Sequence, residues 1–184
     1  MPVDNELHKA AHKGDMDAVK MLIEGSVDEE TPLTVNDIGA SDRRPLHRAA
    51  GAGHAELVAY FVELGAEVNA RDKSGRTALH WGSISGHSEI IRFLLEKGAD
   101  ITAETTLKNN CLHSAVEANR VETVRVLMAH LSEDEEKKTA ITMLKNSDDK
   151  TAWDLALAAK NSPICTVLKE MGDANGVSSS CTIS

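Results

Sequence analysis

Gly75-Arg76-Thr77-Ala78-Leu79-His80 is followed by Ser85-Gly86-His87, then by Glu89-Ile90-Ile91-Arg92-Phe93-Leu94-Leu95, then by Lys97-Gly98-Ala99-Asp100-Ile101. The same landmarks precede it as Arg44-Pro45-Leu46-His47, Gly53-His54, Glu56-Leu57-Val58 and Leu64-Gly65-Ala66-Glu67-Val68-Asn69. Leu46-His47, Leu79-His80 and Leu112-His113 are spaced by a constant 33 residues. A fixed period of that length marks one supersecondary unit repeated along the chain. Glu6-Leu7-His8-Lys9-Ala10-Ala11 opens a more degenerate unit before these three, and Lys150-Thr151-Ala152-Trp153-Asp154-Leu155-Ala156 opens another after them.

Each unit reads as two short antiparallel helices and a turn that projects away from them. No unit can bury its apolar face alone, so neighbours must stack, Phe93-Leu94-Leu95 against Val126-Leu127-Met128 for example. Gly53 and Gly86 suit the tight turn between helices, and Gly65 and Gly98 suit left-handed exits from the second helix. In the fourth unit Asn119 stands at the turn glycine and Leu131 at the exit glycine, so its geometry departs from the others. Pro163 fits the first turn of the last helix.

These residues resemble the ankyrin repeat, whose pattern runs roughly T-P-L-H-x-A, a Gly-His turn, an E-I-V helix and a G-A-D-V-N exit. The resemblance implies an all-α fold, an ankyrin-repeat solenoid of helix-turn-helix units with finger-like β-turn loops. It places repeats at about 4–36, 37–69, 70–102, 103–143 and 144–172, and leaves 173–184 as a flexible tail. Leu7 to Leu46 spans 39 residues and Leu112 to Trp153 spans 41, so two insertions follow second helices. One lies within 25–32. The other includes Ser132-Glu133-Asp134-Glu135-Glu136-Lys137-Lys138, where Ser132 with Glu135 is expected to cap added helix.

Composition narrows the functional classes. Aromatic residues reach only 3%, so the core is built from Ala, Leu, Val and Ile. A net charge of -9 argues against nucleic acid as a partner, because affinity for phosphate backbones needs clustered Lys and Arg. Cys111, Cys165 and Cys181 lie far apart without metal-site or redox spacing, and the polar start Met1-Pro2-Val3-Asp4 is no signal peptide. A reduced, cytoplasmic protein is the expectation. No apolar run is long enough to span a membrane, and Pro2 excludes myristoylation.

The eight histidines suggest metal until the period is applied. His8, His47, His80 and His113 share one repeat position, where the resemblance assigns the ring to hydrogen bonds that brace neighbouring turns. His54 and His87 share the inter-helix turn. His8 and His12 are four apart, as in a two-histidine metal pair, but no further ligand completes a site. Cys111 and Cys165 read as small buried side chains. No phosphate loop, nucleophile elbow or carboxylate pair stands out, so neither cofactor nor metal nor catalysis is expected.

The resemblance implies that fingers and first helices form a concave groove for other proteins. Arg43, Arg44, Arg71, Lys73, Arg76 and Lys108 fall in or beside the fingers, and Arg48 lies on a first helix. The groove is therefore expected to be more positive than the rest and to take an acidic segment of a partner. Trp81 follows His80 where other units carry Lys9, Arg48 and Ser114. It reads either as a binding anchor flanked by Ile84 and Leu107, or as cover for the small Gly82 and Ser83.

Cys181-Thr182-Ile183-Ser184 looks like a C-a-a-X prenylation box, with Ser184 favouring farnesyl and Cys181 the lipidation site. Thr182 is not aliphatic, and neither a basic cluster nor a second cysteine supports the box, so any attachment is expected to be weak and reversible. The leading expectation is a monomeric adaptor or scaffold tethered to a membrane surface. The alternative is a soluble regulator, an inhibitor or assembly chaperone with an unmodified tail.

Overall fold

The computed structural model describes residues 2–25 and 32–171, so the acidic Asp28-Glu29-Glu30 and the box at Cys181 lie outside the described residues. Described residues form helices α1 (Glu6–Lys13), α2 (Met16–Gly25), α3 (Pro45–Ala52), α4 (Ala55–Glu63), α5 (Ala78–Ser85) and α6 (Ser88–Glu96). The array continues as α7 (Cys111–Glu117), α8 (Val121–Leu131), α9 (Glu135–Met143), α10 (Ala152–Ala158) and α11 (Ser162–Met171), with no strand among the described residues. The fold is an all-α ankyrin solenoid.

Helices α1, α3, α5, α7 and α10 stack side by side as an inner row, and α4, α6, α8 and α11 stack behind them. Sequence explains the closer fit of the inner row. Its contact positions carry Ala10, Ala11, Ala49, Ala50, Ser83 and Ala115, all buried, so these backbones approach closely. The outer row fills its spaces with Leu57, Phe61, Ile90, Ile91, Leu94, Leu127 and Met128, each at most 1% exposed. Inner helices have seven or eight residues and outer helices nine to eleven.

The turn within each pair uses one left-handed residue: Gly14, Gly53, Gly86, Asn119 and Lys160, with φ of 80°, 92°, 89°, 57° and 51°. Asn119 thus adopts the conformation of the glycine it replaces, as Asn does more readily than most residues. The next side chain reaches back over the preceding turn. His54 Nε2 meets the His12 carbonyl at 3.0 Å, and Arg120 Nε donates to the Ile84 carbonyl at 2.9 Å.

A second ladder runs at the finger roots. Asn36 Nδ2 donates to the Gly65 carbonyl (3.1 Å) while its Oδ1 accepts from Glu67 N–H (2.9 Å). Asn69 repeats this one unit later with the Gly98 carbonyl and Asp100 N–H, at 3.0 and 2.8 Å. The ladder stops at Thr102, whose hydroxyl turns onto Asp100 Oδ1. Beyond it α8 runs to buried Leu131 without a left-handed exit, and α9 docks through Ile141 and the stem of Lys138.

The insertion is helix, but the expected cap differs. Asp134 Oδ1 accepts from Lys137 N–H at 2.9 Å, whereas Ser132 Oγ donates back to the Ala129 carbonyl. Asp134 directly precedes the first helical residue, so its carboxylate faces the free N–H groups. Pro163 lies in the first turn of α11, as its missing N–H permits.

Candidate protein-binding face

Four fingers line one edge of the inner row. Gly39, Asp72, Thr105 and Asn146 N–H groups donate to the Arg43, Arg76, Asn109 and Lys150 carbonyls at 2.7 to 2.9 Å, closing each finger. The tips place Asp42, Gly75, Lys108 and Asp149 at positive φ. Each tip donates one hydrogen bond to the tip before it: Lys73 N–H to Ser41 O, Thr106 N–H to Ser74 O, and Ser147 N–H to Leu107 O, at 2.9, 3.0 and 2.9 Å. The fingers therefore form one connected surface.

The repeated histidines hold that surface to the inner helices. His47 Nδ1 accepts from Arg44 N–H at 2.9 Å, and its Nε2 donates to the Ala70 carbonyl at 2.9 Å. His80 does the same between Thr77 N–H and the Asn109 carbonyl at 3.3 Å each. At His8 and His113 the local partner is instead Asn5 or Asn110 Oδ1, and Nε2 faces carbonyls of the next finger. Burial lowers the pKa of all four rings, that of His80 to about 4, against the carbonyl contacts that raise it. Both ring nitrogens of His8 face oxygen atoms of the scaffold. Asp154 takes the histidine position in the last pair and closes only its own cap with Thr151.

Around Trp81 the arrangement is denser. Asp72, 6% exposed, accepts from Ser74 and Arg76 N–H at Oδ1 (2.8 and 3.0 Å) and from Trp81 Nε1 at Oδ2 (3.1 Å). Arg43 Cζ lies 4.3 Å and Arg76 Cζ 5.2 Å from the indole centroid. The ring also rests against Gly51 of α3, where an added Cβ would lie 3.5 Å from it. Gly82 instead faces Ile90 and Ile91. Of the two readings of Trp81, cover for Gly82 is corrected: the ring covers Gly51, and Gly82 admits α6.

The other candidates divide by what they touch. Arg48 pairs with Asp4 at 2.5 Å, and Arg44 with Glu67 at 3.1 Å. Arg71 Nη2 donates to the Glu104 carbonyl at 2.5 Å. All three are tied to the scaffold; carboxylates balance Arg48 and Arg44, whereas Arg71 keeps its charge. Burial tends to raise the Asp4 pKa, but the bonds from Arg48 and the Ala40 N–H prevail and lower it. Lys73 and Lys108 are exposed at the tips, Leu107 is 62% exposed, and Ile84 is half-buried one turn beyond Trp81. Residue-by-residue reading missed Asp72 as organiser, although Asp72-Lys73-Ser74-Gly75 carries the signal of a side-chain-closed turn.

Cys111 and Cys165 are buried, and burial pushes the Cys111 thiol up to about 12, so it stays protonated. No cluster of three or more metal-ligating side chains occurs among the described residues, and none of their helices is long and apolar enough to cross a membrane.

A stack of helix pairs joined by histidine-braced fingers defines the class, and the profile of the family described as ankyrin repeats (3 copies) matches residues 7–105. The chain belongs to the ankyrin repeat family. It is also 39% identical over 67 residues to Protein VAPYRIN-LIKE of Medicago truncatula. That alignment covers 36% of this chain and 14% of the relative.

Proposed function

We propose that the chain is a non-catalytic protein-interaction module, an adaptor or scaffold whose finger face receives a segment of another protein. One observation carries the reading: Trp81 is held rigidly by Asp72 and Gly51 in a solvent-reaching position, flanked by arginines in a chain of net charge -9. An aromatic fixed in advance loses little entropy on binding, the usual property of an interface anchor. Membership of a family of interaction modules supports the same reading. Affinity capture from the native cell with the full chain and with Trp81→Ala tests it. Specific partners should be lost with the variant, and capture that survives it places the site elsewhere.

Cys181-Thr182-Ile183-Ser184 favours a tethered form of this module. One isoprenoid on Cys181 gives reversible attachment, consistent with an adaptor that exchanges between cytoplasm and membrane surface. Intact-mass measurement of the native protein decides it: loss of three residues with an added isoprenoid and methyl ester establishes the modification. A chain ending in unmodified Ser184 returns the function to the soluble regulator.

A further inference from the structure

We infer that Arg43, Trp81 and Arg76 form a clamp for one carboxylate side chain, so that the protein segment received by the finger face presents an Asp or Glu next to an apolar residue. The inference rests on the reading of this face as a protein-binding surface and specifies its chemistry.

The local charge does not close. Arg43 and Arg76 share one buried carboxylate, Asp72, whose oxygens already accept from Ser74, Arg76 and Trp81 N–H groups. Arg43 Nε stands 3.7 Å from Asp72 Oδ2, is buried, and takes no hydrogen bond among the described residues. Arg76 has no carboxylate within 4.0 Å of its guanidinium among them. Arg48 adds no excess, because Asp4 balances it. Asp42 and Lys73, exposed on the same fingers, are of opposite sign, and Arg71 is turned onto the Glu104 carbonyl of the next finger. One positive charge therefore remains unanswered over the indole. Burial and the neighbouring Arg48 and Arg76 disfavour the charge on Arg43 despite Asp72, a strain that an incoming anion relieves.

The same count selects the occupant. A carboxylate matches one excess charge, whereas a phosphomonoester of about two negative charges overfills it. The guanidinium fork suits two carboxylate oxygens, and the exposed part of Trp81 with Ile84 one turn away gives an apolar neighbour its place. Gly51 lets the indole lie against α3, which fixes the ring under the two guanidinium groups.

A random dodecapeptide library displayed on phage, selected against the full chain, tests the inference. Peptides that compete with one another and lose binding on Ile84→Asp define the face. Those peptides should share one Asp or Glu beside an apolar residue. Synthetic copies should bind about tenfold more weakly to Arg43→Gln or Arg76→Gln protein, and equally weakly when their own acid is changed to Gln. The Lys169→Gln protein, changed on α11 away from the fingers, should bind them nearly as wild type. Circular dichroism and melting temperature confirm that each variant folds. Ile84-dependent binders without an acidic residue, or indifferent to both arginine variants, overturn the clamp and leave the face intact. Binders that ignore Ile84→Asp and Trp81→Ala overturn the face itself, and the clamp with it. Phosphopeptide copies that bind more tightly than the carboxylate also overturn it.

Discussion

Single residues do two kinds of work in this stack, and Asp72 and the buried histidines show both. Asp72 closes its own finger and fixes Trp81, so Asp72→Ala leaves two backbone N–H groups and the indole N–H without a buried acceptor. The expected loss is about 2 to 4 kcal/mol of unfolding free energy in urea titration, together with a red-shifted Trp81 emission. The histidines make stability depend on pH with a definite sign. Their folded pKa lies below the unfolded value of about 6.5, so the unfolded chain binds protons more readily. Stability is therefore full above about pH 6.5 and declines as pH falls toward 4. His80 alone, brought to about 4, accounts for about 3 kcal/mol of that decline. The lowered carboxyls of Asp4 and Asp154 add their own decline as pH falls through the ordinary carboxylate range, at the acid end of this window, so the histidine part is read between about pH 6.5 and 5. Melting temperatures across this range check it, and a flat profile would mean that the rings are charged in the fold. The shared position of the histidines was legible from the period, and their bracing role from the resemblance to ankyrin repeats. The ties of Arg48 to Asp4 and Arg44 to Glu67 were not, because Asp4 lies in a different unit from Arg48, Glu67 lies at the far end of the unit that Arg44 opens, and no local spacing connects either pair.

At the scale of elements, the turn between helices couples backbone conformation to the next repeat. Gly53 has φ 92°, and an added Cβ would lie 2.5 Å from the His87 ring, whereas Gly65 at φ 84° faces open space. Gly65→Ala should cost about 1 to 2 kcal/mol from the left-handed conformation alone. Gly53→Ala should cost at least about 1 kcal/mol more, because His87 must leave its place. Equal losses in denaturant titration would show that the ring moves freely. Helix positions were legible because their apolar spacing and turn residues agree. Helix α9 was legible as helix, but its cap was assigned three residues from a Glu at Ser132 when the chain needed a carboxylate directly before Glu135. Asp134→Ala should therefore raise hydrogen exchange in α9 with little change in α1 to α7, whereas Ser132→Ala should leave it near wild type.

Across the whole molecule, each helix pair touches only its neighbours, so cooperativity is inherited from the interfaces. The period made this architecture readable before any contact was known. The unequal strength of its parts was not readable, because it depends on interfaces that the period treats as equal. The last pair is covered on one side only: α10 meets α7 and α9, α11 meets α8, and no described helix follows them. His113 braces its finger at the Lys150 carbonyl, but Asp154, at the corresponding histidine position, closes only a local cap and braces nothing beyond it. Interior pairs are held on both sides by stacked helices and finger-to-finger hydrogen bonds. The two tryptophans report on these regions separately, Trp153 in α10 and Trp81 in α5. Ile164 in α11 and Leu79 in α5 are both buried, at 0% and 1% exposure, so truncating either to alanine removes similar chemistry, about 2 to 5 kcal/mol each. The responses should still differ. Ile164→Ala should split the urea transition, with Trp153 emission changing at low urea while Trp81 keeps its native signal. Leu79→Ala should move both signals together to lower urea, because the centre cannot open without releasing the pairs on either side. Coincident transitions in the Ile164→Ala protein would mean that the end pair is as strongly coupled as the middle, through the His113 brace and the insertion helix α9.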